Sequence, residues 1–421
     1  MAQFVFYFII GIILFDYILN QILDLLNAKN QKFLLPDDLK GIYDEEKYLK
    51  SLKYEKTNYK FSIIINTFNL ILILGFIFFS GFAFIDNIAR SFSSNPILIA
   101  LIFFGIMVFV SDIIHIPFNI YDTFIIEEEF GFNKTSPKTF VLDKIKGWIV
   151  GAIIGGGLLA LFVWFYNSTG KYFWLYAWAL FTAFMLLLTM FYTSVIVPIF
   201  NKLKPLEEGE LKNEITEFCK STDFKLDNVF IIDGSKRSTK ANAYFSGLGK
   251  KKKIVLFDTL IERLSKEEIV AVLAHEIGHY KKKHTLVSLV ISVIQTGITL
   301  YILSLFVGNP ILSTALGVEQ SSFHVGLVAF GFLYSPISTI IGLVMNIFSR
   351  KNEFAADRFA SENYEGKHLQ NALKKLSVNN LSNLTPHPAY VFFNYSHPPL
   401  LKRLQFIDNI KSNESRNNNY R

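Results

Sequence analysis

The segment EEIVAVLAHEIGHY carries His275, Glu276 and His279 in the pattern His-Glu-x-x-His. On an α-helix the two histidines stand about one turn apart on the same face, so both imidazoles can bind one zinc ion. Glu276 projects beside them and can take a proton from a water molecule that the metal activates. Because three residues alone define the pattern, a solvated helix with two incidental histidines is the alternative.

A catalytic zinc ion needs a third protein ligand and an open position for water or substrate. The segment SRKNEFAADRFA offers Glu353 as that ligand, directly after an apolar stretch. Asp357 lies one helical turn beyond it and could accept a hydrogen bond from a ligand histidine. The alternative for Glu353 is a surface carboxylate paired with Arg350 or Lys351.

The first motif has to be held by a helix in a packed core. The pattern predicts a helix from Lys266 to Lys283, in which Gly278 leaves room for the close approach of another element. Apolar residues give this segment an amphipathic character: Ile269, Val272, Leu273 and Ile277. The other histidines have no partner at metal spacing and are expected to be ordinary surface residues: His284, His324, His368 and His387.

The composition indicates a polytopic membrane protein, with 51% hydrophobic residues and 43 phenylalanines among 421 residues. The formal charge of +7 comes without any nucleic-acid-binding motif, so no nucleic acid is expected as a partner. Cys219 has no partner for a disulfide and is interpreted as a buried thiol.

Seven segments are long and apolar enough to span a bilayer: Phe4–Leu26, Ser62–Phe84, Pro96–Ile120, Trp148–Tyr166, Phe173–Phe200, Leu286–Val307 and Val325–Phe348.

Basic residues concentrate in alternate connections, which predicts the orientation. Residues 28–60 and 121–147 are rich in lysine, whereas residues 308–324 carry no lysine or arginine. By the positive-inside bias, the lysine-rich loops, the C-terminus and the metal motif face the cytoplasm. We expect the first span to be retained, since it lacks the features of a cleaved signal peptide.

These segments divide the chain into membrane and hydrophilic parts. We expect helices 1–5 with their loops in residues 1–200, helices 6 and 7 in residues 286–348, and one protease domain built jointly from residues 201–285 and 349–410. Strands are predicted at Asn228–Ile232 and Ile254–Phe257, and a helix from Ser349 to about Leu376. Residues 411–421 form a polar tail that is expected to be disordered. The fold class is therefore an all-α polytopic membrane protein with seven transmembrane helices around a chamber and a zincin-like α+β metalloprotease domain.

The combination of AHEIGHYKKKH, two membrane spans, SRKNEFAADRFA and SHPPLLKRL resembles the integral-membrane CAAX prenyl endopeptidases, the family of the yeast a-factor-converting protease. Further upstream, YDTFIIEEEFGFNKT and SKRSTKANAYFSGLGKKKKIVLFDTLIE are also similar to that family. The likeness covers most of the chain, from about residue 120 to residue 408.

This resemblance implies roles for individual residues. His275, His279 and Glu353 would bind one zinc ion, and Glu276 would be the general base. Other residues would bind the substrate: Asn242, Ala243 and Tyr244 on a strand edge that pairs with the peptide, and His397 and Arg403 on the oxyanion or the substrate. The alternatives are a turn position for Asn242 and an ordinary surface position for His397. A water-filled chamber would explain Asp112 and His115 within a span; the alternatives are that these two lie near the interface or pair with each other. The acidic run Glu127–Glu129 is interpreted as a solvated face or a helix start.

The expected function is zinc-dependent endopeptidase activity at a membrane, on a peptide or lipid-modified protein such as a prenylated C-terminus. We expect a monomer in the lipid bilayer. The short loop at residues 308–324 and a tail without a dilysine signal favour a bacterial inner membrane over an endoplasmic reticulum. Two alternatives stay open: a heat-shock-type quality-control metalloprotease, which would have fewer spans, and a transporter or channel with a structural metal site, which would need four ligands.

Overall fold

The computed structural model describes residues 1–32, 35, 40, 44–226, 228–247 and 253–418, with the backbone alone for residues 411–418. Among these residues the helices are α1 (Ala2–Lys29), α2 (Glu45–Phe78), α3 (Gly81–Phe92), α4 (Pro96–Tyr121), α5 (Glu127–Glu129), α6 (Pro137–Thr169), α7 (Phe173–Phe191), α8 (Val197–Phe200), α9 (Glu210–Ser221), α10 (Asp258–Ile261), α11 (Lys266–Lys281), α12 (His284–Phe306), α13 (Pro310–Ala315), α14 (Phe323–Asn363), α15 (Gly366–Asn379), α16 (Pro388–Asn394) and α17 (Leu400–Asn418). The strands are β1 (Leu203–Pro205), β2 (Asn228–Ile232), β3 (Ala243–Ser246) and β4 (Lys253–Phe257).

Six helical runs in the described part of the chain are long and apolar enough to cross a membrane. One of them, Pro137–Phe200, is broken by a turn at Gly170–Tyr172, where Gly170 has φ +53°. Its two halves, α6 and α7, pack against each other. With this break, the described residues contain seven long apolar helical segments, the number expected from the sequence.

The second span ends earlier than predicted. α2 stops at Phe78 instead of Phe84, and Ser80 takes a left-handed conformation with φ +55° before α3 begins at Gly81. A Cβ atom on Gly81 would lie 2.6 Å from the Phe76 ring, so the turn packs directly on the end of α2. The hydropathy pattern does not indicate this turn, because only Ser80 and Gly81 interrupt the apolar run there.

The helix predicted from Ser349 to about Leu376 is divided between two helices. α14 continues from the last apolar stretch to Asn363, and a new helix, α15, runs from Gly366 to Asn379. The expectation of a disordered tail is wrong as far as Asn418, because α17 extends to that residue, and residues 419–421 lie outside the described part.

The hydrophilic segments form a small sheet packed on helices. The strand order is β1-β2-β4-β3, with β2 and β4 parallel and the two outer strands antiparallel to their neighbours. β3 therefore lies at an edge of the sheet. The core between the sheet and the helices contains Leu256 of β4, Leu273 of α11 and Leu369 of α15. α11 thus lies inside the domain, with its motif face toward α14.

Candidate metal centre and active site

α11 is fixed at its start and along its buried side. Ser265 accepts a hydrogen bond from the backbone of Glu268, whose side chain accepts one from the backbone of Ser265, a capping box. Ile269, Leu273 and Ile277 are each at most 1% exposed. The alternative of a solvated helix with incidental histidines is therefore wrong.

Gly278 allows α14 to approach α11 closely. A Cβ atom at this position would lie 3.2 Å from the Cα and the carbonyl oxygen of Ala356, and 3.1 Å from the Cβ of Phe359. These distances are shorter than ordinary van der Waals contacts between such atoms. The close approach expected at Gly278 is thus confirmed, and it brings the carboxylate of Glu353 to the histidines.

Two imidazoles and one carboxylate converge at this crossing. Nε2 of His275 lies 3.4 Å from Oε2 of Glu353, and Nε2 of His279 lies 3.2 Å from Oε1 of the same carboxylate. The two Nε2 atoms are 3.2 Å apart, and the donor atoms of all three residues lie within 4.8 Å of one another. Glu353 is only 3% exposed, and Arg350 donates instead to the carbonyls of Val391 and Tyr395. The alternative of a surface carboxylate is wrong.

Asp357 orients the first histidine. Its Oδ1 lies 2.9 Å from Nδ1 of His275, and its Oδ2 accepts a hydrogen bond of 2.8 Å from Nε of Arg403. With Nδ1 engaged, His275 presents Nε2 to the cluster. Burial lowers the pKa of His275, but the hydrogen bonds to Asp357 and Glu353 outweigh this and raise the pKa to about 9. Burial likewise lowers the pKa of Arg403, and the charge of Asp357 reverses this and raises it.

The second histidine has a partner that sequence reasoning missed. Nδ1 of His284 lies 3.1 Å from Nδ1 of His279, so His284 is not an ordinary surface residue. In one continuous helix, residues five apart do not face each other. Here α11 ends at Lys281, Lys283 takes a left-handed conformation with φ +60°, and His284 begins α12. This break between the two helices brings the ring of His284 to the motif.

The prediction of a surface position is also wrong for His324. It is 4% exposed, and its Nε2 lies 2.6 Å from Oδ1 of Asp86. Arg90 donates to the other oxygen of Asp86 at 2.8 Å. This buried group joins α3 to the start of α14, away from the metal motif, and no spacing in the sequence connects residues so far apart.

A cavity of about 640 Å³ opens beside the cluster. It is lined by the metal motif, including Glu276, and by the segment that enters β3, including Asn242 and Ala243. Tyr244 is absent from this lining and faces a neighbouring cavity, because successive side chains of a strand point to opposite faces. A substrate contact by its side chain is thus not supported, whereas its backbone stays part of the edge strand.

The remaining predicted site residues also lie at the cavity. His397 has a side chain that is 64% exposed, yet its Nε2 lies 3.4 Å from Oε1 of Glu353. Arg403 is 9% exposed, and its guanidinium is occupied by Asp357. Asn242 directly precedes β3, and its carbonyl accepts a hydrogen bond of 3.1 Å from the backbone of Phe257. It therefore continues the strand pairing.

Polar residues within the spans have separate partners. Asp112 accepts hydrogen bonds from Lys144 at 2.7 Å and from Trp148 at 2.8 Å, whereas His115 lies 2.8 Å from the side-chain oxygen of Asn69. Asp112 and His115 thus make no hydrogen bond to each other.

Another cavity, of about 460 Å³, is lined by polar residues of α1 and α2 that sequence reasoning did not single out: Asp16, Tyr17, Asn20, Asp24, Asn66 and Asn69.

The acidic run forms the short helix α5, in which Glu128 and Glu129 are exposed as expected, whereas Glu127 is half-buried. Glu127 accepts hydrogen bonds from Tyr54 and from Lys240, Glu128 accepts one from Asn133, and Glu129 pairs with Lys53. By contrast, Cys219 is 3% exposed, as expected of a buried thiol.

Comparison with known proteins decides the family. Residues 24–202 match the family model described as CAAX prenyl protease N-terminal, five membrane helices, and residues 205–411 match peptidase family M48. The chain belongs to peptidase family M48. As a member of that family with long apolar helices, it is a multi-pass membrane metalloendopeptidase. The transporter alternative is therefore wrong, and the N-terminal match favours the CAAX type over the heat-shock type.

Individual relatives agree along nearly the whole chain. The chain is 36% identical to the probable CAAX prenyl protease 1 of Schizosaccharomyces pombe, over 87% of this chain and 80% of that protein. It is 34% identical to the CAAX prenyl protease 1 homolog of Arabidopsis thaliana, over 95% and 96%. The crystal structure of Ste24p from S. mikatae superposes with a TM-score of 0.91 at 31% identity, covering 96% of this chain and 99% of that one.

Proposed function

We propose that His275, His279 and Glu353 bind one zinc ion. Two imidazole nitrogens and one carboxylate are a typical ligand set of catalytic zinc, and they leave a position open for water or substrate. The observation that carries this proposal is the convergence of the three donors within 4.8 Å at the wall of a large cavity. Asp357 accepts a hydrogen bond from Nδ1 of His275, and metal-binding histidines usually have such a partner on the nitrogen that faces away from the metal.

A zinc ion bound there would polarise a water molecule and the substrate carbonyl. Glu276, half-buried on the cavity side of α11, takes the proton of the attacking water and delivers it to the amine that leaves. His397 is exposed at the same wall and donates a hydrogen bond to the oxyanion that develops. Arg403 acts mainly through Asp357, which it holds against His275.

The substrate is proposed to be a peptide segment that pairs with the outer edge of β3, which among the described residues is the last strand of the sheet. This edge borders the cavity through Asn242 and Ala243, so an added strand would pass the metal ligands. The relatives are named CAAX prenyl proteases, and we propose that this chain likewise cleaves near the C-terminus of a prenylated protein.

We further propose that residues 201–285 and 349–410 form the protease domain on the cytoplasmic side, and that the enzyme works as a monomer. The lysine-rich loops support this orientation. The bacterial inner membrane stays a prediction.

The test is cleavage of a fluorogenic farnesylated peptide and of its unprenylated form by the purified protein, with and without a chelator. Loss of cleavage on chelation and in Glu276→Gln is expected, with zinc retained in the variant. Glu353→Ala should hold well below one zinc ion per chain. Cleavage that persists after chelation would refute the zinc mechanism, and equal rates on both peptides would refute the prenyl preference alone.

A further inference from the structure

The loop after the third span is paired with the segment that leads into β3. The backbone amide of Lys134 donates to the carbonyl of Arg237 at 3.0 Å, and that of Thr239 donates to the carbonyl of Phe132 at 3.0 Å. Residues Asn133 and Ser238 form an antiparallel bridge between these two contacts. The membrane half of the chain is thus in direct backbone contact with the approach to the edge strand.

Lys240 completes this connection immediately before the cavity-lining residues. Its Nζ donates to Oε2 of Glu127 at 2.8 Å and to the hydroxyl of Tyr54 at 3.0 Å, and it lies 4.4 Å from the centre of the Phe132 ring. The carbonyl of Lys240 accepts a hydrogen bond of 3.0 Å from the buried hydroxyl of Thr259. Both its side chain and its backbone are therefore held, from opposite sides.

We propose that the Glu127–Lys240 ion pair, supported by Tyr54, is a positioning device for the substrate strand. It ties helices α2 and α5 of the membrane half to the residue two positions before Asn242, and so fixes the edge on which the peptide is laid. The inference rests on the proposed function, since it presumes that peptide substrate pairs with β3.

The neighbouring ion pair of Glu129 and Lys53 provides a comparison, because its side chains are more exposed than those of Glu127 and Lys240. Glu127 is 20% exposed and Lys240 37%, whereas Glu129 and its partner Lys53 are 46% and 66% exposed. Exposed ion pairs contribute little because water screens them. The partly buried pair, reinforced by the Tyr54 hydroxyl, is the one able to hold the strand.

The experiment compares Glu127→Gln with the matched control Glu129→Gln. A neutral amide in place of the Glu127 carboxylate should raise the peptide KM about tenfold, the scale of one lost charge-assisted hydrogen bond. We expect kcat and zinc content to change little, because the metal ligands are not touched. Equilibrium binding of the same peptide to Glu276→Gln, with and without the Glu127 change, separates binding from turnover.

Charge reversal tests the pair itself. The double variant Glu127→Lys with Lys240→Glu should recover most of the lost affinity, while each single reversal should weaken binding. If Glu127→Gln does not accumulate as folded protein, Tyr54→Phe removes one hydroxyl from the same group and should raise KM to a smaller extent.

Equal KM values for the Glu127 and Glu129 variants, or a loss of zinc together with activity, would overturn the positioning role. Failure of the wild-type protein to cleave any peptide would instead refute the proposed function. The two failures are distinguishable because the second needs no variant.

Discussion

Replacing Gly278 with alanine should separate the two helices that meet at the metal site. In an open position this change would favour the helix by about 1 kcal/mol. Here the new methyl would lie 3.2 Å from backbone atoms of Ala356 and 3.1 Å from Phe359. Packed carbon atoms prefer about 3.5–4.0 Å, so α11 and α14 must move apart by a few tenths of an ångström.

The metal site is more sensitive to this movement than the fold. Overpacking typically costs about 1–3 kcal/mol, so after the gain in helix propensity the net loss of stability is about 0–2 kcal/mol. Zinc–ligand distances tolerate only about 0.2 Å, and the movement separates Glu353 from His275 and His279. We therefore expect Gly278→Ala to weaken zinc binding by about tenfold or more, which is the range found when the residues that orient metal ligands are mutated.

The assay is a zinc titration of the detergent-purified protein against chelators of graded strength, combined with thermal unfolding of the metal-free form. Gly147→Ala is the matched control, because a Cβ on that helical glycine meets nothing within 4 Å. The control should bind zinc as the parent does. Unaltered zinc affinity in Gly278→Ala would refute the reasoning that this crossing sets the position of the carboxylate.

Three further predictions follow from the same contacts. His284→Ala should weaken zinc binding by about tenfold, measured by the same titration, since it removes the partner of the second ligand histidine; unchanged affinity would make that contact incidental. Asp357→Asn should cost about 3 kcal/mol in the free energy of unfolding, measured with denaturant, because it breaks the buried ion pair of Asp357 with the Arg403 guanidinium and leaves only Glu353, 3.7 Å from Nη1, opposite that charge; a loss below 1 kcal/mol, of the order of an exposed pair, would contradict this. In intact cells, a membrane-impermeant thiol reagent should label Ser94→Cys and spare Lys56→Cys; the reverse pattern would invert the topology. The native Cys219 should not be labelled in this assay, because burial raises the pKa of its thiol to about 11.

Local patterns predicted the elements that carry the chemistry. The helix with His275 was expected to start at Lys266 and does so, and the strand Asn228–Ile232 has the predicted bounds. These two predictions are confirmed because periodicity and capping are local properties of the chain. The edge strand β3 was expected from family resemblance alone, since four residues carry too short a pattern.

Contacts between distant segments were beyond such reasoning. Glu127 was interpreted as solvated because its partner Lys240 is remote in sequence, and His324 was assigned to the surface because Asp86 is equally remote. The contact of His284 has a local cause that the sequence does not reveal: a left-handed residue at Lys283, which nothing in the lysine run indicates, breaks the helix.

Because α14 continues without a break beyond its apolar stretch, it fixes the distance between the end of that stretch and Glu353. Its apolar stretch ends near Phe348 and Glu353 follows on the same helix, which at about 1.5 Å per residue sets the carboxylate about 8 Å beyond that end. An extended peptide covers that height in about two or three residues. Under the proposed function, a substrate anchored in the bilayer would therefore present a bond two or three residues from its anchor to the proposed zinc ligands.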